Sequence, residues 1–104
     1  MRKFMTFAAC AMLTAGMNGA VMADDGASLY TSKLCNTCHG ADGKSPMMPI
    51  YPKIAGQNEE YLIQQIKDIK DGNRTNGMAA AMKPMVATVN EGEIKKIAKW
   101  LASQ

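Results

Sequence analysis

The sequence CNTCH, at residues 35–39, decides the fold of this chain. It places two thiols, Cys35 and Cys38, two residues apart and puts His39 directly after the second. This spacing is typical of covalent haem attachment. Two intervening residues let one helical turn span the two vinyl groups of a haem, and histidine is a standard axial ligand of haem iron. The motif predicts one covalent haem c, bound by Cys35 and Cys38, with His39 as an axial ligand.

Other uses of a close cysteine pair compete with haem attachment. A closed structural zinc site needs four ligands, but the chain after residue 23 offers only Cys35, Cys38 and His39 as cysteine or histidine ligands. A thioredoxin-like pair requires a βαβ pattern, which the sequence lacks. A structural disulfide in an oxidising compartment stays open. Because His39 is the only histidine, the sixth iron ligand has to be another residue type.

The first 23 residues have the layout of a secretory signal peptide. Arg2 and Lys3 precede an uncharged stretch rich in alanine and methionine, and Ala23 stands at a cleavage position. We expect cleavage after Ala23, a periplasmic location and a mature domain over residues 24–104. An uncleaved membrane anchor is the weaker alternative, because small and polar residues interrupt the apolar stretch.

The mature chain is too short to stabilise itself easily. About 80 residues bury only a thin apolar core and usually need a disulfide, a metal or a cofactor as well. The formal net charge of +3 is small, and no basic block or stripe of basic and aromatic residues is present. We therefore expect no nucleic-acid partner.

Apolar spacing predicts an all-helical domain with no strand. The predicted helices cover residues 25–34, 59–71 and 91–102. Asn58 is a candidate N-cap, Gly72 ends the second helix, and Asn90 with Glu93 resembles a capping box. The segments 44–57 and 73–88 are predicted as long loops, the second with a short helical turn over residues 78–82. A domain this small does not leave two such loops unsupported. A bound chemical group is therefore expected between the two loops.

A methionine is the expected sixth ligand, because a thioether is a soft donor and His/Met ligation is common in cytochromes. The candidates, all in predicted loops, are Met47, Met48, Met78, Met82 and Met85. The second loop, which returns before the last helix, is favoured. The residues alone leave the choice open.

Four stretches together resemble a known family: CNTCHGADG (35–43), YPKIAGQ (51–57), KDGNRTN (70–76) and the segment 82–94. On these motifs the chain resembles the class I monohaem c-type cytochromes, in particular soluble cytochromes c-553 and one haem domain of the dihaem cytochrome c4 family. The resemblance covers nearly all of residues 26–101. It implies a small all-α class I cytochrome c fold with three main helices, in which the first and last helices cross and haem packs between two long loops.

The resemblance also implies roles for individual residues. Met82 matches the position of the sixth ligand, with Met78 as the second candidate. Pro52 resembles the proline whose carbonyl accepts a hydrogen bond from the histidine ligand. Arg74 is a candidate contact for a haem propionate, although it could equally be a solvated loop charge. Tyr30, with Gly26 and Trp100, resembles the packing that locks the first and last helices together.

The function that the resemblance implies is periplasmic electron transfer. The chain is expected to be a monomer and not an enzyme. It would shuttle single electrons between redox proteins and meet a membrane only through those partners. Two alternatives stay open: a haem peroxidase or gas-ligand sensor with a labile sixth ligand, and a cytochrome subunit tightly docked on a dehydrogenase or oxidase.

Overall fold

The computed structural model describes residues 25–104, and this part of the chain is helical without any strand. Its helices are α1 (Gly26–Ser32), α2 (Asn36–His39), α3 (Glu59–Asp71), α4 (Ala79–Val86) and α5 (Glu91–Ala102). The prediction of an all-α domain is confirmed. Between residues 25 and 104, no helix has the length and apolarity needed to cross a bilayer. The predicted signal sequence and its cleavage site after Ala23 lie outside the described residues.

Helix α1 begins where the acidic start predicted it, but it ends earlier. The Asp25 carboxylate accepts the backbone N–H of Ser28 at 2.8 Å and caps the helix. The predicted helix extended to residue 34, whereas α1 ends at Ser32 because Leu34 adopts a left-handed conformation with φ of 66°. Apolar spacing alone could not show this break, since leucine normally favours a helix.

The turn between α1 and α2 is a Schellman motif with an unusual residue in it. The N–H of Leu34 donates to the Thr31 carbonyl, and the N–H of Cys35 donates to the Tyr30 carbonyl, both at 3.0 Å. Glycine usually takes the left-handed position, as Gly72 does after α3 with φ of 81°. A leucine there costs roughly 1–2 kcal/mol. The turn directs the chain sharply from α1 into the CNTCH segment.

Helices α3 and α5 keep their predicted bounds. In α5, the Asn90 side chain accepts the N–H of Glu93 at 2.9 Å, and the Glu93 carboxylate accepts the N–H of Asn90 at 3.0 Å. The predicted capping box is therefore confirmed. Asn58 is the N-cap residue of α3, but its side chain makes no capping hydrogen bond.

Helices α1 and α5 pack closely at a small residue. Gly26 is buried, and a Cβ added to it would meet the Lys96 carbonyl and come within 2.6 Å of Trp100 Cβ. The rings of Tyr30 and Trp100 pack with centroids 4.9 Å apart and planes tilted by 44°. The predicted contact between the first and last helices is confirmed, and α5 also packs against α3.

The apolar core is thin and continuous. Helix α5 contributes the largest share, α1 and α3 pack against α5, and α4 packs against α3. The buried apolar residues are Leu29, Tyr30, Leu62, Ile69, Ala79, Val86, Val89, Ile94, Ile97, Ala98 and Leu101. Outside this set, His39 is the one buried residue with a polar or charged side chain among residues 25–104.

Helix α4 corrects the prediction for the segment 73–88. That segment was predicted as a loop with a short turn over residues 78–82, but an eight-residue helix spans Ala79–Val86 and includes Pro84. A proline inside a helix normally marks a break, because it lacks a backbone N–H. Here Ala79 and Val86 are buried and α4 packs against α3, so tertiary contacts hold the helix together. Met82 and Met85 therefore lie on a helix rather than in a loop.

Replacement of Gly26 by alanine is expected to destabilise the protein by roughly 1–3 kcal/mol, because the new methyl group would force α1 and α5 apart. Guanidinium-induced unfolding followed by circular dichroism measures the change. Gly92→Ala is the matched control, since its added Cβ would only reach Asn90 Oδ1 at 3.4 Å. Equal stability of the two variants would contradict the close packing at Gly26.

Asn90→Ala is expected to lower the free energy of unfolding by about 1 kcal/mol, because the backbone N–H of Glu93 loses the side-chain oxygen that caps it, while the backbone N–H of residue 90 can still donate to the Glu93 carboxylate. The same unfolding measurement tests this expectation. Asn58→Ala changes the same residue type at an N-cap whose side chain makes no capping bond, so its effect should be clearly smaller. A larger loss for Asn58→Ala would contradict a capping hydrogen bond at Asn90 and its absence at Asn58.

Candidate functional site

Helix α2 is a single turn that contains Cys38 and His39, and Cys35 is its N-cap residue. The N–H of His39 donates to the Cys35 carbonyl at 3.1 Å, and Gly40 donates to the Asn36 carbonyl at 3.1 Å. Residues three and four apart share one face of a helix. The turn therefore presents Cys38 and His39 on the same side as Cys35. Both thiols are free and half-buried.

His39 has a defined tautomer because of its partner. The imidazole is buried, with 5% of its surface exposed, and its Nδ1 lies 3.0 Å from the Pro52 carbonyl oxygen. A carbonyl oxygen only accepts hydrogen bonds, so Nδ1 carries a proton, and in the neutral imidazole Nε2 then keeps its lone pair. This is the arrangement that metal-binding histidines require, with the second ring nitrogen fixed by a backbone carbonyl.

One cavity joins the predicted site residues. Its volume is about 340 Å³, within the range of roughly 300–1,000 Å³ typical of small-molecule and cofactor sites. Its walls are mostly apolar and include side chains from α3, α4 and α5. The site residues named from the sequence that line it are Cys35, Cys38, His39, Pro52, Arg74, Met78, Met82 and Met85.

The structure separates the candidate methionines. Met47 and Met48 are exposed and do not line the cavity. Met78, at the start of α4, and Met85 line it but are 42% and 40% exposed. Met82 is partly buried and packs against the apolar core. Of the three methionines that line the cavity, Met82 is the most buried.

Arg74 contributes a positive charge to the cavity wall. It is half-buried and makes no ion pair within residues 25–104. The other basic residue of the lining, Lys33, lies 3.6 Å from the Glu93 carboxylate and donates to the Thr88 carbonyl at 3.3 Å. No acidic residue lines the cavity, so its wall is suited to a ligand that carries carboxylates.

Burial keeps two side chains near α2 uncharged. It raises the pKa of the Cys35 thiol to about 11. Burial, with smaller effects from Cys35 and Asp42, raises the pKa of Tyr30 to about 12. At neutral pH the Cys35 sulfur is thus a neutral thiol in apolar surroundings, which do not favour the charge of a free thiolate.

Sequence reasoning missed part of the apolar wall. Ile66 and Ile69 lie on the predicted helix over residues 59–71, and both line the cavity. Leu34 and Ile50 also line it, although each is more than half exposed. Helical spacing marks a face as apolar but does not tell a core from a ligand wall. No signal in the sequence singled out Leu34 or Ile50.

These residues fit a haem group. The cavity offers an apolar interior, a pair of thiols on one helical turn, an imidazole with a free Nε2 and thioether donors from a second helix. Among residues 25–104, no three His, Cys, Asp or Glu side chains come together as they would around a bare metal ion. Haem brings four nitrogen ligands of its own, so it needs only axial donors from the protein.

Comparison with known proteins identifies the class. Residues 21–101 match the family model described as cytochrome c oxidase, cbb3-type, subunit III. The chain belongs to this family, and it is a class I c-type cytochrome related to one domain of cytochrome c4. The family resemblance inferred from the sequence motifs is confirmed.

Individual relatives support this assignment. The chain is 41% identical to cytochrome c4 of Pseudomonas aeruginosa over 95 residues, which cover 89% of this chain and 45% of the relative. It is 43% identical to cytochrome c-554(548) of Halomonas halodenitrificans over 70 residues, which cover 67% of this chain and 83% of the relative. The crystal structure of reduced cytochrome c4 from Pseudomonas stutzeri superimposes with a TM-score of 0.62 at 32% identity, covering 77% of this chain and 45% of that one. The chain thus spans about half the length of the cytochromes c4 it matches.

Proposed function

We propose that this protein is a periplasmic electron carrier with one haem c bound covalently through Cys35 and Cys38. One observation carries the proposal: both cysteines, the imidazole of His39 and the thioether of Met82 meet at a single apolar cavity. When bound, the haem supplies a one-electron redox centre. The residues of the chain hold it, shield it from water and fix its axial donors.

His39 and Met82 are the proposed axial ligands. Hydrogen bonding to Pro52 leaves Nε2 of His39 as a donor, and packing against the core holds Met82. With both donors in place, no iron position is left for a substrate, which favours electron transfer over turnover. Because His39 is buried and Met82 is packed, the donors can keep the same arrangement in both oxidation states. Little reorganisation then opposes the transfer of an electron.

The remaining parts of the proposal concern the surroundings of the cavity. Arg74 is the proposed contact for a haem propionate, since it lines the cavity without an acidic partner within residues 25–104. Residues 1–23 are proposed to be a cleaved export signal, and residues 24–104 to form the cytochrome c domain. We further propose that the domain works as a monomer that exchanges electrons with other redox proteins.

The identity of the sixth ligand is tested by Met82→Ala. Loss of the thioether is expected to leave the haem attached, to abolish the Fe–S charge-transfer band of the oxidised protein and to lower the reduction potential. Met78→Ala and Met85→Ala are matched controls on the same cavity and should keep the band. If Met78→Ala or Met85→Ala loses the band while Met82→Ala keeps it, the sixth ligand is the methionine whose variant loses the band.

The same variants test the alternative of an enzyme or gas sensor. A carrier with two firm protein ligands should bind carbon monoxide weakly in the reduced wild type and readily in Met82→Ala. Ready binding of carbon monoxide by the wild type at neutral pH would instead indicate a labile sixth position and a haem enzyme or sensor.

Haem attachment is tested by mass and spectrum of the exported protein. The wild type is expected to weigh one haem more than residues 24–104 alone and to give a pyridine haemochrome spectrum with two saturated vinyl groups. Cys35→Ala and Cys38→Ala should each leave one vinyl group unreacted, and the double variant should lack covalent haem. A colourless wild type with the mass of its amino acids alone would overturn the proposal.

A further inference from the structure

We infer that the Tyr30 hydroxyl is a positioning group for the His39 imidazole, acting through the Gly40 carbonyl and the loop that carries Pro52. The inference rests on the proposed function, in which His39 binds the haem iron. The helix-packing role of the Tyr30 ring does not require a hydroxyl. The hydroxyl nevertheless has a specific partner, donating to the Gly40 carbonyl at 2.6 Å, although Tyr30 is fully buried.

Tyr30 holds both ends of α2. Its backbone carbonyl accepts the N–H of Cys35, at the start of the turn, at 3.0 Å. Its hydroxyl reaches Gly40, the residue after His39, at the end of the turn. A helix of four residues is not stable by itself, because its nucleation costs more than its few hydrogen bonds return. The orientation of α2 is therefore set by contacts such as these two.

A chain of hydrogen bonds continues from Gly40 to the partner of His39. The Gly40 carbonyl also accepts the N–H of Gly43, at a longer 3.3 Å. The Gly43 carbonyl in turn accepts the N–H groups of Ile54 and Ala55 at 2.9 and 3.2 Å.

Ile54 stands two residues after Pro52, whose carbonyl lies 3.0 Å from Nδ1 of His39. These links form a closed loop of interactions. His39 is joined to Gly40 by the backbone, and hydrogen bonds join Gly40 to Gly43 and Gly43 to the segment that follows Pro52. The contact between the Pro52 carbonyl and His39 completes the loop of interactions. The hydrogen bond from the Tyr30 hydroxyl to the Gly40 carbonyl connects this loop of interactions to α1.

The Tyr30 side chain is suited to hold a fixed position. Its ring packs against Trp100 on α5, with centroids 4.9 Å apart, and has no exposed surface. Because burial raises its pKa to about 12, the hydroxyl keeps its proton and stays a donor at any physiological pH. The short bond to Gly40 is thus anchored in the contact between the first and last helices.

Removal of the Tyr30 hydroxyl should weaken this closed loop of interactions at Gly40. The Gly40 carbonyl would keep only the longer bond from Gly43, so the turn at residues 40–43 and the Pro52 carbonyl would gain freedom. The hydrogen bond at Nδ1 of His39 would weaken. Because such a bond raises the basicity of a histidine ligand, the ligand would become a poorer donor and the oxidised state would be less favoured.

The test is Tyr30→Phe in the haem-bound protein, which keeps the ring and its contact with Trp100. Exchange of the His39 Nδ1–H with solvent, followed by NMR of the reduced protein, is expected to become about tenfold faster, as loss of a buried hydrogen bond implies. The reduction potential should become more positive. Tyr61→Phe is the matched control, because Tyr61 is half exposed and lies outside the cavity lining.

A purely structural role for the hydroxyl predicts a different pattern. It would speed exchange of the buried α5 amides, such as that of Ile97, as much as that of His39, with no change in potential. That result, or wild-type exchange at His39 in Tyr30→Phe, would overturn the inference. Failure of the proposed function is separate, because the wild type would then show no haem or no histidine ligand.

A second variant tests the inference if Tyr30→Phe does not yield a folded, haem-bound protein. Substitution of Tyr30 by 3-fluorotyrosine keeps the ring and the hydroxyl but makes the hydroxyl a stronger donor. Exchange of the His39 Nδ1–H should then slow and the potential should become more negative. Exchange and potential equal to those of the wild type would count against the inference.

Discussion

The structure depends on an apolar cavity whose walls are also the core of the domain. Leu62, Ile69, Val86, Ile97 and Leu101 are buried core residues, and each of them lines the cavity. About 80 residues cannot build a large core without help. A haem between these walls would add the apolar contacts that the chain cannot supply. Binding of the proposed cofactor would therefore also stabilise the fold.

The polar part of the site is held by backbone groups. The one-turn helix α2 is fixed at its start by the Tyr30 carbonyl and at its end by the Tyr30 hydroxyl. The Pro52 carbonyl fixes the tautomer of His39. Backbone carbonyls are positioned by the fold itself, so the donor atom of His39 is set before a metal arrives. Such a prearranged site suits a centre that has to keep its geometry while its charge changes.

Several features of the site were accessible from the sequence because they are local. The spacing of Cys35, Cys38 and His39 is a property of one helical turn, and the capping box spans the four residues from Asn90 to Glu93. The helical state of residues 79–86 was not accessible, since Pro84 argues against it and the packing of this helix against α3 is a tertiary contact. The end of α1 before Leu34 was not predicted for the opposite reason. A leucine gives no sign of the left-handed conformation that it adopts in the turn.

By itself, the sequence determined the class of the fold and supplied the chemistry proposed for the site, because the helical periods and the CNTCH motif are set by neighbouring residues. Only the tertiary structure decided which methionines reach the cavity, which nitrogen of His39 is free and what the Tyr30 hydroxyl binds. Those outcomes depend on contacts between segments that are distant along the chain, such as Pro52 with His39 and α4 with α3. A contact of that kind is fixed by the packing of the whole domain and leaves no local pattern to detect.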